Sequence, residues 1–288
     1  MRKVIVVILM SAVSLQFSCS SKSEQEPESN KEPAFKIRIK GSETVRPIIE
    51  KIDDDYMNRN PNVFVDYQGG GSNMGLMAFM ENEADIAFVS RELTEDEKIQ
   101  VKKINAIIDT IAIDGLAIII NVSNPIKNLS LQQLSDIYSG KINNWKDVGG
   151  NNWPIVLYSR DISSGTYSFF KDKVLGTKDY SSYDINITHN DEIINNVSNT
   201  KNAIGYVGLL YSHKANIKPL NLIFDDKQGP QTPNFQNIVG NTYKLKRYIV
   251  LVCKKDAREE IASFVNEFKK ESTLKIINES GLIPFRKL

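Results

Sequence analysis

Short apolar runs alternate with amphipathic segments along most of the chain, in an order typical of β-α-β folds. Residues 36–40 (KIRIK) alternate polar and apolar positions and end at a glycine, which predicts a strand. Residues 42–58 then carry apolar side chains at helical spacing, and residues 62–68 alternate again before three consecutive glycines. This succession predicts an α/β protein with mixed, mainly parallel sheets.

The same pattern continues toward the C-terminus. A long β-branched run at 111–122 predicts a strand that is broken at Asp114-Gly115. Further strands are predicted at 85–89, 155–159, 204–207 and 248–254, and further helices at 72–83, 93–103, 129–139, 166–174 and 259–272. The predicted elements therefore extend from residue 36 to the end of a strong terminal helix.

The first eighteen residues have the composition of a signal peptide. Arg2 and Lys3 precede the almost continuously apolar segment 4–13, which is too short to span a bilayer as a mature helix. Cys19 follows a small residue at the expected cleavage point and resembles the lipidated cysteine of bacterial lipoproteins. Gln16 departs from that motif, which usually has Leu there. A plain signal peptide with an incidental cysteine is the alternative.

Residues 19–34 are predicted to form a flexible, lipid-anchored tether. The segment 20–33 (SSKSEQEPESNKEP) has no apolar side chain that could join a core. A lipid on Cys19 would hold the protein to a membrane on the extracytoplasmic side, in the periplasm or at the cell surface. Cys253, beside an apolar run, is then left without a partner and is predicted to be a buried small hydrophobe.

The charge balance gives no bulk electrostatic signal. The chain has 36 Lys and Arg residues against 35 Asp and Glu residues, for a net charge of +1, so no nucleic-acid partner is expected. Two histidines and two cysteines leave little for a metal site, and neither a metal nor a cofactor is predicted. Any anion binding would have to come from local geometry.

Four turns between a predicted strand and a predicted helix carry the chemistry of an anion site. They lie at 41–45, 69–75, 90–91 and 159–166. Helix N-termini present unpaired N–H groups, Ser and Thr donate hydroxyl hydrogen bonds, and Arg offers a planar fork to an oxyanion. Helix capping explains any one turn more simply. Together, two arginines and several hydroxyls at strand ends predict a site for a small oxyanion.

Signatures of catalysis are missing from the sequence. The glycines of 69–75 match neither nucleotide-binding pattern, no GxSxG motif occurs, and Ser164 has no evident base. His189 and His213 are interpreted as solvated loop residues. The sequence therefore predicts a binding protein rather than an enzyme. A phosphate-ester hydrolase is a weaker alternative, and a surface sensor or adhesin that keeps the fold is a third.

Several segments resemble the phosphate-binding proteins of bacterial ABC importers, in their PstS-like branch. The matching segments are GSETVRP at 41–47, YQGGGSNMG at 67–75, ADIAFVSR at 84–91, DGLAIIIN at 114–121, LSLQQLSDIYSGKINNWKDVGG at 129–150, SRDISSGT at 159–166 and NAIGYVGLLY at 202–211. The resemblance implies a two-lobe periplasmic-binding-protein fold of type II, with the ligand in the cleft between the lobes. It also implies a monomeric protein that delivers inorganic phosphate to membrane permease subunits.

In that fold the chain crosses between the lobes twice. The crossovers are expected near residues 118–121 and 244–248. Lobe 1 would comprise residues 35–118 together with 247–288, and lobe 2 would comprise residues 119–246. The first strand and the terminal helix would then share a lobe.

The resemblance also implies individual phosphate-binding residues. They are Thr44, Val45 through its backbone N–H, Ser72, Ser90, Arg91, Arg160, Ser164, Gly165 and Thr166. The best-known branch has Asp where this chain has Arg91, and that Asp accepts the proton of hydrogen phosphate and so excludes sulfate. Asp114 is our candidate replacement, although it is equally well explained as a turn residue, and Glu43 is a weaker one. Without an acceptor, sulfate or molybdate would be the expected ligand.

Overall fold

The structure, a computed structural model, describes residues 34–286. The predicted signal peptide, Cys19 and the tether as far as residue 33 lie outside the described residues. The strands are β1 (Phe35–Gly41), β2 (Val63–Gly70), β3 (Ile86–Val89), β4 (Ala106–Asn121), β5 (Asn128–Ser130), β6 (Val156–Arg160), β7 (Ile185–Ile187), β8 (Ala203–Gly208), β9 (Ile217–Pro219), β10 (Asn221–Ile223), β11 (Lys246–Lys254) and β12 (Ile283–Pro284). The helices are α1 (Arg46–Arg59), α2 (Ser72–Met80), α3 (Glu95–Lys103), α4 (Leu131–Tyr138), α5 (Gly165–Phe170), α6 (Asn190–Asn199), α7 (Phe235–Val239), α8 (Glu259–Glu267) and α9 (Glu271–Glu279). Across this range, every helix is too short or too polar to cross a bilayer.

Local sequence signals fix where several helices begin. The Thr94 side chain accepts a hydrogen bond from the N–H of Glu97, whose carboxylate bonds back to the N–H of Thr94. Ser130 and Gln133 form the same reciprocal pair at the start of α4. Each pair satisfies two N–H groups that the helix cannot bond itself, so α3 and α4 begin at these residues.

The sheet confirms the α/β fold and shows how its two ends are joined. Its strand order is β2-β1-β3-β11-β4-β8-β6-β7. Pairing is parallel at both ends, in β2-β1-β3 and in β8-β6-β7. The strands in the middle pair antiparallel. β11 lies between β3 and β4 and runs opposite to both, and β4 runs opposite to β8. Parallel pairing is therefore confined to the two ends of a mixed sheet.

The break predicted at Asp114-Gly115 is wrong, because β4 runs continuously from Ala106 to Asn121. Its first part pairs with β11, and its last part pairs with β8. A Cβ added at Gly115 would lie 2.4 Å from the Cδ1 atom of Ile238. The glycine therefore lies in close packing between the strand and the Ile238 side chain of α7, and not in a turn.

Two apolar cores share this central pair of strands. One core is built mainly from β1, α1, β3, β11 and α8, and the other from β4, α4, β6, α5 and β8. The change from one core to the other falls between Ala112 and Leu116 on β4, and between Leu245, just before β11, and Ile249 on β11. The two strands therefore cross from one core to the other side by side.

Two further predictions concern the C-terminal region. Cys253 is 3% exposed and packs in the core built from β1, α1, β3, β11 and α8, which confirms it as a buried hydrophobe. The single helix predicted over 259–272 is wrong, because the segment forms α8 and α9. Lys270 adopts an extended conformation between them, with φ of −77° and ψ of 144°, and this ends the helical pattern.

Asp53 is a buried carboxyl group on the inward face of α1. Its side chain is nearly inaccessible, and its Oδ1 atom has no hydrogen-bond partner within residues 34–286. Burial, together with the negative charges of Asp54 and Glu50, raises the pKa of Asp53 from 3.8 to about 8. The folded protein therefore holds this proton more tightly than the unfolded chain does.

We expect the free energy of unfolding to fall as the pH rises from about 4 to about 8, because Asp53 must lose its proton while buried. Asp53→Asn should match the wild type below pH ~4 and exceed its stability by about 1 kcal/mol or more near pH ~9. Urea unfolding across this pH range measures the effect. Asp96→Asn, at an exposed position in α3 and not among the charges that act on Asp53, is the control. Parallel pH profiles for the wild type and Asp53→Asn would contradict this assignment.

Candidate functional site

The predicted turns converge on one buried group of hydroxyls. The Oγ1 atoms of Thr44 and Thr166 lie 3.4 Å apart, and the Oγ atoms of Ser72 and Ser90 lie 3.1 Å apart. A Cβ added at Gly165 would lie 2.3 Å from the Oγ atom of Ser72, so only glycine permits this approach. We call the set the hydroxyl cluster: Thr44, Ser72, Ser90, Ser164 and Thr166.

Backbone N–H groups occupy lone pairs of two hydroxyls in the cluster. The Ser72 Oγ atom accepts a hydrogen bond from the N–H of Ser90 at 3.0 Å. Ser164 is the N-cap of α5, and its Oγ atom accepts from the N–H of Thr166 at 3.1 Å. The capping explanation considered for the sequence is therefore correct for Ser164. The hydrogen of each capping hydroxyl is still free to be donated elsewhere.

Arg247 belongs to this site, and the sequence analysis missed it. Its side chain is fully buried and donates from Nη1 to Thr166 Oγ1 at 2.8 Å and from Nη2 to Thr44 Oγ1 at 3.2 Å. In the sequence it follows two lysines at the start of a strand, a pattern typical of solvated charges. The one available signal was strand register, since Arg247 pairs directly opposite Asp114.

Asp114 is fully buried behind the hydroxyl cluster. Its Oδ2 atom accepts from the Nη2 and Nε atoms of Arg247 at 2.8 and 3.1 Å, and its Oδ1 atom accepts from the N–H of Leu209 at 3.0 Å. Burial raises the pKa of Asp114, while the charge of Arg247 opposes that rise. The carboxyl is therefore an ion-pair partner of Arg247 rather than a turn residue.

Arg160 brings a second buried guanidinium to the same region. Its Nη1 atom donates to Asn190 Oδ1 at 2.8 Å, and its Nη2 atom donates to the carbonyl of Thr188. Within the described residues, the Nε atom of Arg160 and the Nδ2 atom of Asn190 are buried donors without a partner. Burial lowers the pKa of Arg160, an effect that a bound anion would offset. Unpaired buried donors of this kind indicate a missing acceptor.

The structure does not bring the guanidinium of Arg91 into the hydroxyl cluster. Both of its terminal nitrogens lie 2.7 Å from carboxylate oxygens of Glu97, and its Nε atom donates to Asn73 at 2.9 Å. This bidentate pair neutralises the charge locally. The implied role of Arg91 as a direct anion ligand is therefore not carried forward.

Val45 and Glu43 flank Thr44 in the first turn. Val45 is the N-cap of α1, is 1% exposed, and donates its N–H to the carbonyl of Ser42 at 3.3 Å. Burial would raise the pKa of Glu43, but hydrogen bonds from Arg46 and the N–H of Gly70 hold it below its usual value. Glu43 is thus an ionised carboxylate that already has its own partners.

These groups together suit a small anion better than a metal ion. Two guanidiniums, of Arg160 and Arg247, are buried here, and Asp114 pairs with Arg247 alone, which leaves the positive charge of Arg160 without a carboxylate partner. Among residues 34–286, no three His, Cys, Asp or Glu side chains lie close enough together to hold a metal ion. A positive site rich in N–H and O–H donors binds an oxyanion by charge and by hydrogen bonds.

Comparison with known proteins places the chain in a family. Residues 23–272 match the model of a PBP superfamily domain. The chain is 30% identical to the phosphate-binding protein PstS of Borreliella burgdorferi, over 98% of this chain and 99% of that protein. The chain belongs to the PstS family of the PBP superfamily. The PstS protein of Staphylococcus haemolyticus is 32% identical, over 81% of this chain and 77% of its own length.

Solved structures of the PstS family share the fold. A phosphate ABC transporter substrate-binding protein from Clostridium perfringens, with bound phosphate, has a TM-score of 0.79 and 30% identity over 87% of this chain and 100% of its own. An ABC-type phosphate transport receptor from Vibrio cholerae has a TM-score of 0.71 and 33% identity over 86% of this chain and 99% of its own. These matches confirm the predicted periplasmic-binding-protein fold, and these relatives are solute-binding proteins rather than enzymes.

Proposed function

We propose that this PstS-family protein captures inorganic phosphate in a cleft between two lobes and delivers it to the membrane permease subunits of an ABC importer. The observation that carries the proposal is the convergence of four turns, distant in sequence, on buried hydroxyls with two buried guanidiniums beside them. Isolated buried charge is costly, and an anion with several acceptor oxygens would offset the excess positive charge and satisfy the unpaired donors. One relative in the family is a phosphate-binding protein and another has phosphate bound, which supports this choice of ligand.

The proposed phosphate site uses donors from both lobes and one acceptor. Its members are Thr44, Val45 through its N–H, Ser72, Ser90, Asp114, Arg160, Ser164, Gly165 and Thr166, with Arg247 added. Asp114 is proposed to accept the phosphate proton. Arg91 has an indirect role, because it holds Asn73, whose side chain donates to the carbonyl of Ile162 at 2.9 Å.

Delivery to a permease requires a place on the extracytoplasmic side of the membrane. We propose that residues 1–18 direct export, that Cys19 carries a lipid, and that the tether reaches to residue 34. Lobe 1 is proposed to comprise residues 35–118 with 247–288, and lobe 2 residues 119–246. The change of apolar core along β4 and β11 supports a division of this kind.

Binding should shift the protein toward a closed form, because only contact between the lobes completes the site. The contacts that join the proposed lobes include Thr44 to Thr166, Asn73 to Ser163 and Ile162, and the Tyr211 hydroxyl to the carbonyl of Glu43. We expect small-angle scattering to show a smaller radius of gyration at saturating phosphate. An unchanged scattering profile in the presence of proven binding would contradict closure.

Calorimetric titration of the mature protein with phosphate, sulfate and molybdate tests the function. We expect phosphate to bind with a dissociation constant about 10⁴-fold below that of sulfate, because a buried carboxylate opposes an anion without a proton. Tight binding of sulfate or molybdate without phosphate binding would assign the site to another oxyanion. Turnover of a phosphate monoester by the same preparation would contradict a purely binding role.

A further inference from the structure

We propose that Arg247 is the positioning residue of the anion site. Asp114 holds it, and it in turn orients the hydroxyls of Thr44 and Thr166 toward the bound anion. The inference rests on the proposed function and deepens it, because it assigns the donor geometry of the site to a buried ion pair. Neither residue of the pair would need to be displaced when the anion enters.

The hydrogen bonds of Arg247 are largely committed to protein groups. A guanidinium has five N–H groups. Two of them bond Asp114, from Nε and Nη2, and one each bonds Thr44 and Thr166, so four of the five have partners. The ring of Phe169 lies beside the guanidinium, with its centroid 5.8 Å from Cζ, and limits rotation of the plane. When the two turns are close, the fork is therefore held by protein groups alone.

Fixing this fork determines the direction in which the two threonines donate. A hydroxyl has one hydrogen, and an oxygen that accepts an N–H bond directs that hydrogen elsewhere. Thr44 and Thr166 each accept from Arg247, at 3.2 and 2.8 Å. Ser72 and Ser164 are held in the same way by backbone N–H groups, at 3.0 and 3.1 Å. Each of these four hydroxyls keeps its hydrogen to donate, to a neighbouring hydroxyl or to a bound anion, and Arg247 accounts for two of them.

Arg247 also makes these bonds on both sides of the cleft. Thr44 lies in the first turn of proposed lobe 1, whereas Thr166 lies at the start of α5 in proposed lobe 2. The guanidinium can satisfy both threonines only when the two turns are close. The same side chain therefore links donor orientation to closure.

Arg247→Lys tests the proposal without leaving Asp114 unpaired. A lysine can bond the carboxylate but cannot present the planar fork that reaches both threonines. We expect the phosphate dissociation constant to rise about tenfold to a hundredfold. Arg38→Lys is the matched control, because Arg38 forms an Arg–Asp pair with Asp85 on the outer strands, with Nη2 2.8 Å from the carboxylate. Its dissociation constant should stay at the wild-type value.

A double-mutant cycle separates positioning from direct contact. Thr166→Val is measured in the wild type and in Arg247→Lys, with Thr44→Val treated in the same way. If Arg247 acts through the threonines, each Val substitution should cost at least severalfold less affinity in the Arg247→Lys background. Additive losses would mean that Arg247 touches the anion independently, and they would overturn the proposal.

The wild-type titration distinguishes failure of the proposed function from failure of the positioning role of Arg247. Wild-type protein that binds none of phosphate, sulfate or molybdate overturns the proposed function, and the positioning role with it. Wild-type protein that binds phosphate, with an unchanged dissociation constant in Arg247→Lys, overturns only the positioning role. Circular dichroism of each variant identifies misfolded protein. If Arg247→Lys misfolds, the double variant Asp114→Leu with Arg247→Met replaces it, because this variant removes both buried charges together. That replacement should also abolish the coupling to Thr166→Val, and coupling that persists would overturn the proposal.

Discussion

Asp114→Asn should reduce the preference for phosphate over sulfate more than any other single substitution. Asp114 is a buried carboxylate that accepts N–H groups of Arg247, Leu209 and Gly115, and it is our proposed acceptor for the proton of hydrogen phosphate. Sulfate has no proton to offer and meets a like charge. Because an Asn amide can donate, sulfate affinity should rise while phosphate affinity falls, and a ratio on the order of 10⁴ should shrink by at least about tenfold.

Competition titrations with both anions measure this ratio. Glu43→Gln is the informative partner variant, because Glu43 is also buried and also paired with an arginine. It should keep the wild-type ratio. Loss of the preference in Glu43→Gln but not in Asp114→Asn would move the proton acceptor to Glu43. Thermal unfolding without ligand checks that Asp114→Asn is folded, since this change leaves Arg247 facing a neutral side chain.

Arg160→Ala should weaken phosphate binding by about tenfold to a hundredfold or more. Charge-assisted hydrogen bonds in a closed site contribute roughly 1.5–3 kcal/mol each, and Arg160 has an unpaired buried Nε donor to offer. Isothermal calorimetry measures the loss, and Arg160→Lys distinguishes loss of charge from loss of the fork. Arg258→Ala, at an exposed arginine, provides the control. An unchanged dissociation constant in Arg160→Ala would remove this residue from the site.

Arg91 offers a contrast with Arg160 that the sequence could not provide. By its motif, Arg91→Ala is expected to behave like Arg160→Ala. Its bidentate pairing with Glu97 instead leads us to expect a smaller loss, transmitted through Asn73. The motif gives the position of the residue in the turn, whereas the acid that captures its charge lies in α3, six residues further along.

Most of the fold and the turns of the site could be predicted because they depend on local patterns. The alternation of strand and helix placed Thr44, Ser72 and Thr166 at helix starts, and the strand ends brought these starts together. Arg247 could not be predicted in the same way, because its partner Asp114 lies 133 residues away. A buried charge is recognised by its partner, and no local pattern identifies a partner in a distant strand.

The break expected at Asp114-Gly115 failed for a related reason. An Asp-Gly pair usually signals a turn, because glycine adopts conformations that other residues avoid. Here Gly115 packs against Ile238, and Asp114 forms a buried ion pair with Arg247. Both roles are tertiary, so the local signal indicated the wrong structure while still marking an important residue.

The side-by-side passage of β4 and β11 between the two cores has a mechanical consequence for the ion pair. Asp114 and Arg247 face each other at the point where both strands leave one core for the other. If the proposed lobes rotate apart, residues at this crossing are displaced least, and the displacement grows with distance from it. The Asp114–Arg247 ion pair should therefore persist throughout the rotation, while the distance from Arg247 to Thr166 increases first. The empty, open protein would then keep its buried charges compensated and lose only the contacts that the next anion restores.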